Sequence, residues 1–99
     1  MSIIFKDVLY DIVDELKRNT EMSYSILHII SFGSRKRGDF RNDSDWDILI
    51  VIKQDDSYLR QKLINYFYNV RYRRNLDFDI EPIIYSIDEF ESRKNTPFI

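Results

Sequence analysis

The stretch that constrains this chain most is WDILIVI, residues 46–52, a nearly continuous apolar run of strand length. A strand with one solvated face alternates polar and apolar residues, and the residues after Asp47 show no such alternation. The sequence therefore predicts a central strand in a packed sheet. The chain has 99 residues, which is enough for one hydrophobic core and too few for two. We expect residues 1–99 to form a single domain.

Three further segments show clear periodicity. Apolar residues recur at three- and four-residue spacing over residues 3–18, which predicts an amphipathic helix. After a polar break at residues 18–23, the segment YSILHIISF at 24–32 is rich in β-branched and aromatic residues and predicts a strand. Residues 54–72 combine an N-cap, Asp56 or Ser57, with apolar residues at helical spacing, and they predict a long second helix.

The last predicted elements are a strand in LDFDIEPIIYS, residues 76–86, and a short helix after it. Pro82 cannot donate to a ladder, so this strand is expected at a sheet edge or with a bulge. Ser86 and Glu89 have the spacing of a capping box, which predicts the start of the last helix. The order helix, strand, strand, helix, strand, helix indicates an α+β fold with a small mixed sheet flanked by helices.

The composition excludes several classes of protein. There is no cysteine, so disulfides and thiolate metal sites are excluded. The net charge of -2 does not suit a polycationic nucleic-acid binder, and we do not expect nucleic acid as a partner. No apolar run approaches the roughly 20 residues that span a bilayer, and the N-terminal residues carry acids where a signal peptide is cationic. We expect a soluble, cytoplasmic protein without a membrane partner.

Asp45 and Asp47 are the first candidates for chemistry. One residue separates them at the entrance of a predicted strand, so the period of two places both carboxylates on one face and Trp46 on the other. Magnesium prefers such oxygen ligands together with substrate phosphates. A third carboxylate on a neighbouring strand, Asp79 or Asp77, would complete a site for two metal ions.

The chain's two glycines lie in the loop before these aspartates. Gly33 and Ser34 follow the first predicted strand, where backbone N–H groups can close on phosphate oxygens and a hydroxyl can add a donor. Gly38 allows the loop to bend toward the aspartates. Positive charge beside a triphosphate is available from Arg35, Lys36, Arg37 and Arg41.

Taken singly, these features are more often structural than functional. A D-x-D pair is usually a solvated turn or a cap, Gly-Ser is usually a plain turn, and a basic loop is usually a solvated surface. Structural roles are also preferred elsewhere in the chain. His28 is expected in the core or on the sheet surface, and the basic residues 71–75 are expected to form a solvated helix end and not a site for RNA or an acidic partner. The tyrosines of residues 66–72 are expected to pack in the core and not at an interface. Only the combination of the Gly-Ser turn, the basic loop and the D-x-D pair, in this order and spacing, favours a phosphate- and metal-binding site.

That combination resembles the minimal nucleotidyltransferase family, small members of the DNA polymerase β-like superfamily. Their signature is Gly-Ser, ten residues and Asp-x-Asp, which this chain matches with Gly33, Ser34, Asp45 and Asp47. The loop reads GSRKRGD, with Lys36 where similar proteins have a small residue. The helix and strand before the signature and a third aspartate on a later strand also agree, so the resemblance covers roughly the whole chain.

The resemblance implies a site and a reaction. It assigns phosphate binding to Gly33 and Ser34, with Arg35 and Arg37 beside them, and two Mg²⁺ ions to Asp45, Asp47 and a third acid. Asp79 is the preferred third acid, as metal ligand and base, and Asp77 is the alternative. The expected reaction transfers a nucleoside monophosphate, AMP from ATP, to a hydroxyl.

The resemblance also implies a partner. Members of the family are often encoded beside a HEPN-domain toxin, and some neutralise it by adenylylating a tyrosine, so the expectation is an antitoxin of a toxin–antitoxin system. The alternatives are an antitoxin that acts by binding alone and a nucleotidyltransferase with a small-molecule acceptor, which is disfavoured because the chain has no room for an acceptor domain. Similar chains continue past Ile99, so we expect a shortened C-terminus with an uncovered edge that favours homo- or hetero-oligomers.

Overall fold

The structure, a computed structural model, describes residues 5–32, 46–76 and 78–93. In chain order, the elements of this part are α1 (Phe5–Arg18), α2 (Thr20–Ser23), β1 (Ile26–Phe32), β2 (Trp46–Ile52), α3 (Ser57–Arg73), β3 (Ile80–Ser86) and α4 (Ile87–Arg93). The expected α+β class is confirmed, as is the order of the predicted elements. Within the same residues, no helix has the length and apolar character that crossing a membrane requires.

α2 differs from the prediction. Residues 18–23 are predicted as a polar break, whereas residues 20–23 form one helical turn. Asn19 precedes this turn, and its side-chain Oδ1 accepts a hydrogen bond of 3.2 Å from the backbone N–H of Glu21. An N-cap of this kind satisfies a donor that the first turn of a helix leaves without a helical partner. The cap and the burial of Met22 in the core therefore both stabilise the extra turn.

β2 is the central strand of the sheet, whose order among the described residues is β1-β2-β3. It runs antiparallel to β1 and parallel to β3, so the predicted mixed sheet is confirmed. β3 carries Pro82 and lies at the outside of this order, which agrees with the expected edge position. On β1, the register shifts between Ile26 and His28, and this bulge lets Ile26 and Ile29 both pack against the core.

The hydrophobic core lies between one face of the sheet and the helices α1 and α3. Trp46 is 1% exposed and meets Phe67 of α3 edge-on, with ring centroids 6.3 Å apart. Its indole N–H donates to Ser31 Oγ at 2.7 Å, which satisfies the one polar group of the ring. Other buried side chains of this core are Ile12, Leu16, Ile48, Ile50, Ile52, Leu59, Leu63 and Val70. Trp46 thus lies on the core face of β2, which agrees with the prediction that it faces away from Asp47.

The predicted helix caps are also present. Asp56 precedes α3, and its Oδ1 accepts from the backbone N–H of Leu59 at 3.1 Å. At α4, Ser86 N–H donates to Glu89 Oε1 at 3.0 Å and Glu89 N–H donates to Ser86 Oγ at 3.3 Å, which completes the capping box. The N–H of Ser86 and the guanidinium of Arg60, 2.6 Å from Oε1, lower the pKa of Glu89.

The C-terminus of α3 closes in a Schellman motif that sets the path into β3. Asn75 has a positive φ of 52°, the left-handed conformation that asparagine tolerates better than most residues. The N–H of Asn75 donates to the carbonyl of Tyr72 at 3.2 Å, and the N–H of Leu76 donates to the carbonyl of Arg71 at 3.1 Å. The motif therefore sets the direction in which the chain leaves α3. Its last residue, Leu76, lies four residues before β3 begins at Ile80.

An ion-pair cluster joins α1 to the end of α3. Arg73 Nη2 lies 2.7 Å from Glu15 Oε2, and Arg74 Nη2 lies 3.2 Å from Glu15 Oε1. The hydrogen bond from Arg73, assisted by the one from Arg74 and opposed by partial burial, lowers the pKa of Glu15 to about 2. Beside it, the Tyr66 hydroxyl donates to the carbonyl of Ile12 at 2.8 Å. These contacts fix the C-terminal half of α3 against α1.

Candidate functional site

Asp47 lies near the start of β2, on the sheet face opposite α1 and α3. The alternation that directs Trp46 and Ile48 into the core places Asp47, which lies between them in sequence, on the other face. Asp47 is half-buried there. Its strand neighbours are Phe32 on β1 and Glu81 on β3. A central-strand carboxylate is thus held on rigid backbone, with a strand on either side.

Glu81 is an acidic neighbour of Asp47 that the sequence analysis did not single out. The two residues are register partners in the parallel pairing of β2 with β3. Adjacent strands lie roughly 4.8 Å apart, and partners share one face of the sheet. Two carboxylates therefore share this part of the sheet surface. The sequence held no signal for the pairing, because α3 separates the two strands and packing sets their register.

Asp79 lies directly before β3 and beside the first residue of β2. Its backbone carbonyl accepts a hydrogen bond of 2.8 Å from the N–H of Trp46. Its side chain is 63% exposed, and Oδ1 lies 2.7 Å from Nε of Arg71. The structure thus places Asp79 directly before the strand adjacent to that of Asp47, at the same end of the sheet.

Arg71 is the second residue whose role the sequence analysis missed. The basic run at residues 71–75 is exposed, as the predicted solvated helix end requires, and its arginines also form ion pairs within the chain. Arg71 pairs with Asp79, while Arg73 and Arg74 pair with Glu15. The spacing of arginines along a helix does not reveal such contacts, because the acidic partners come from other elements.

Several predicted site residues lie outside the described residues. They are Gly33, Ser34, Arg35, Arg37, Asp45 and Asp77, together with Lys36, Gly38 and Arg41 of the same loop. The phosphate-binding role of the Gly-Ser turn, the metal-binding role of Asp45 and the choice of Asp79 over Asp77 therefore stay predictions. The expected shortened C-terminus also falls outside these residues.

The described carboxylates have the chemistry that a magnesium site needs. Asp47 on β2 and Asp79 directly before β3 offer oxygen donors, and hard divalent cations bind such donors together with substrate phosphates. The described part of the chain by itself contains no group of three or more acidic, histidine or cysteine residues that could enclose a metal ion. The donor set fits magnesium in kind, and Asp45 and the triphosphate are the further ligands that the sequence analysis predicts.

His28 lies apart from these carboxylates. It is exposed on β1, where its partner is Val51 near the far end of β2 from Asp47, and its ring centroid lies 6.2 Å from that of Phe90 on α4. This position agrees with the sheet-surface role preferred for it over a ligand role.

Comparison with known proteins gives two matches. Residues 9–96 match the family described as "Nucleotidyltransferase domain". The chain is also similar to a protein of Methanocaldococcus jannaschii named "Putative protein adenylyltransferase MJ0141", with 34% identity over 94 residues. That alignment covers 85% of this chain and 93% of the archaeal protein. No solved structure matches the chain.

Proposed function

Because the chain belongs to the nucleotidyltransferase domain family, we propose that it transfers AMP from ATP to a hydroxyl group of a protein. Members of the family generally use a nucleoside triphosphate and a divalent metal. The match to a protein whose printed name is a protein adenylyltransferase supports a protein acceptor. The observation that carries the proposal is Asp47, the second aspartate of the family signature, held half-buried on the central strand beside Glu81.

In the proposed site, Asp45, Asp47 and Asp79 hold magnesium, and Gly33 and Ser34 hold the triphosphate. The bound metal supplies charge neutralisation at the phosphates and makes the α-phosphate more electrophilic. The Asp79 carboxylate takes the proton from the acceptor hydroxyl. The new bond joins the acceptor oxygen to the α-phosphorus, the bond from that phosphorus to the bridging oxygen of the β-phosphate breaks, and pyrophosphate leaves.

For the acceptor, we propose a tyrosine of a HEPN-domain toxin, so that the transfer makes this chain an antitoxin. The support is the resemblance carried by Gly33, Ser34, Asp45 and Asp47. A tyrosine hydroxyl is a suitable acceptor because it can reach a surface site and become a stable phosphodiester.

The experiment is label transfer from ATP labelled at the α-phosphate, with Mg²⁺ and a lysate of the host. Wild type is compared with Asp47→Asn, which removes a charged metal ligand, and with Asp11→Asn, an exposed aspartate of α1, as the matched control. We expect a labelled protein band with wild type and Asp11→Asn and none with Asp47→Asn. No band with ATP or any other nucleoside triphosphate would contradict the proposal.

A second candidate is an antitoxin that neutralises its partner by binding alone. The observation in its favour is the exposed face of α3, where Tyr68 is 73% and Tyr72 is 82% exposed, with Ile64 one turn before Tyr68. Large exposed aromatic side chains are enriched at protein interfaces. The two candidate functions predict different results for the Asp47→Asn variant. If the chain acts as an enzyme, this variant loses neutralisation of the partner; if it acts by binding alone, the variant still neutralises the partner.

A further inference from the structure

We infer that Arg71 is a positioning residue for the candidate site, because it fixes the Asp79 carboxylate relative to β2. This inference rests on the proposed function, in which Asp79 is a metal ligand. Arg71 belongs to α3, outside the sheet that carries the acidic residues, and nothing in the family signature Gly-Ser to Asp-x-Asp includes it.

Arg71 contacts three successive parts of the chain between α3 and β3. Its carbonyl accepts the N–H of Leu76 at 3.1 Å in the Schellman motif. Its Nε–H donates to the carbonyl of Phe78 at 3.1 Å and lies 2.7 Å from Asp79 Oδ1. One residue thus connects the end of the helix, the buried Phe78 and the acidic residue that follows it.

Asp79 is consequently held at two points. Its side chain is held by Arg71, and its carbonyl accepts the N–H of Trp46, the residue between the two aspartates of Asp-x-Asp. The Trp46 ring is anchored in the core against Phe67. The two contacts favour one orientation of Asp79 beside the start of β2, and a carboxylate oriented in advance binds a metal at a smaller entropic cost.

The geometry leaves a ligand position available. Arg71 contacts Oδ1 through Nε, and a carboxylate has a second oxygen that a cation can bind. A guanidinium that orients one oxygen while the other meets the metal is the arrangement by which supporting residues orient metal ligands in many sites. Arg73 and Arg74 lie at the same end of α3 but pair with Glu15 and not with Asp79, so the contact with Asp79 belongs to Arg71 among these three arginines.

The test measures Mn²⁺ affinity by electron paramagnetic resonance and calorimetry, in the presence of a non-hydrolysable ATP analogue. The variants are Arg71→Gln, Arg71→Lys and, as matched control, Arg73→Gln, which removes an ion pair at the same helix end without touching Asp79. Loss of a residue that orients a metal ligand weakens metal binding roughly 10- to 100-fold. We expect that loss for Arg71→Gln, a smaller loss for Arg71→Lys, and wild-type affinity for Arg73→Gln.

A double variant isolates the action through Asp79. In an Asp79→Asn background, Arg71→Gln should cause no further loss of Mn²⁺ affinity, because the group that Arg71 orients is already gone. Urea unfolding monitored by Trp46 fluorescence verifies that each variant is folded. Should Arg71→Gln fail to fold, Arg71→Lys carries the comparison, since it keeps the charge and changes the donor geometry.

The outcomes separate the inference from the proposed function. If Asp47→Asn loses Mn²⁺ binding and both Arg71 variants keep wild-type affinity, the positioning role is overturned and the proposed function stands. Tighter Mn²⁺ binding by Arg71→Gln would also overturn it, because the ion pair would then compete with the metal. If wild type shows no Mn²⁺ binding that depends on Asp47, the proposed function fails, and the inference fails with it.

Discussion

The ion-pair cluster that joins α1 to the end of α3 makes a measurable prediction for the stability of the fold. Its central group is Glu15, whose pKa falls from an ordinary 4.5 to about 2 in the folded protein. This difference corresponds to about 3.5 kcal/mol of folding free energy at neutral pH, at about 1.4 kcal/mol per pKa unit. Arg73 is about half exposed, so water screens part of the attraction, and we expect Glu15→Gln to lose about 1–2 kcal/mol.

The sign of the pH dependence follows from the lowered pKa. The ionised carboxylate is the form that the folded state prefers, so the contribution is fully present above pH 4.5. As the pH falls from 4.5 toward 2, the unfolded chain binds the proton first and the contribution is lost. The free-energy difference between wild type and Glu15→Gln should therefore shrink by about half or more between pH 7 and pH 3.

Urea unfolding at the two pH values checks this prediction, with fluorescence of Trp46, the chain's one tryptophan, as the signal. Trp46 is buried in the core, so unfolding exposes it fully. Asp11→Asn, an exposed change on the same helix, is the control and should stay within about 0.5 kcal/mol of wild type. A Glu15→Gln difference that is equal at pH 7 and pH 3 would refute the ion-pair explanation.

Two further predictions concern packing and backbone conformation. Phe67→Ala removes a fully buried ring that packs on Trp46 and should lower the free energy of unfolding by about 3–5 kcal/mol in urea; a loss below about 1 kcal/mol would contradict the described core. Asn75→Gly should leave the stability within about 0.5 kcal/mol, whereas Asn75→Val should cost about 1–2 kcal/mol, because only glycine adopts a positive φ without penalty. Equal melting temperatures for the two Asn75 variants would contradict the left-handed helix cap.

Elements governed by local patterns could be predicted from the sequence. The apolar run at residues 46–52 correctly predicted the central strand, because a strand buried on both faces has consecutive apolar residues. The N-cap Asp56 and the capping box of Ser86 and Glu89 were predicted for a similar reason: each bond joins residues three positions apart. The face of β2 on which Trp46 lies could be predicted from strand alternation alone.

Contacts between distant segments could not be predicted. Asp47 and Glu81 are partners because β3, which follows α3, pairs with β2 in one particular register. A shift of that register by one residue would turn Glu81 to the other face of the sheet. The ion pair of Arg71 with Asp79 requires the Schellman turn at Asn75, whose left-handed conformation has no apolar periodicity to indicate it. The sequence thus offers the acidic candidates as residue types, while the contacts around Asp47 and Asp79 depend on tertiary structure.

The most direct test of the central claim compares ATP labelled at the α-phosphate with ATP labelled at the γ-phosphate as donors, for wild type and Asp47→Asn. A nucleotidyltransferase retains the α-phosphate on the acceptor and releases the γ-phosphate within pyrophosphate. We expect a protein labelled by the α-donor alone, carrying one adenosine monophosphate by mass spectrometry, and no label with Asp47→Asn. Label from the γ-donor, or α-label that persists in Asp47→Asn, would contradict this expectation.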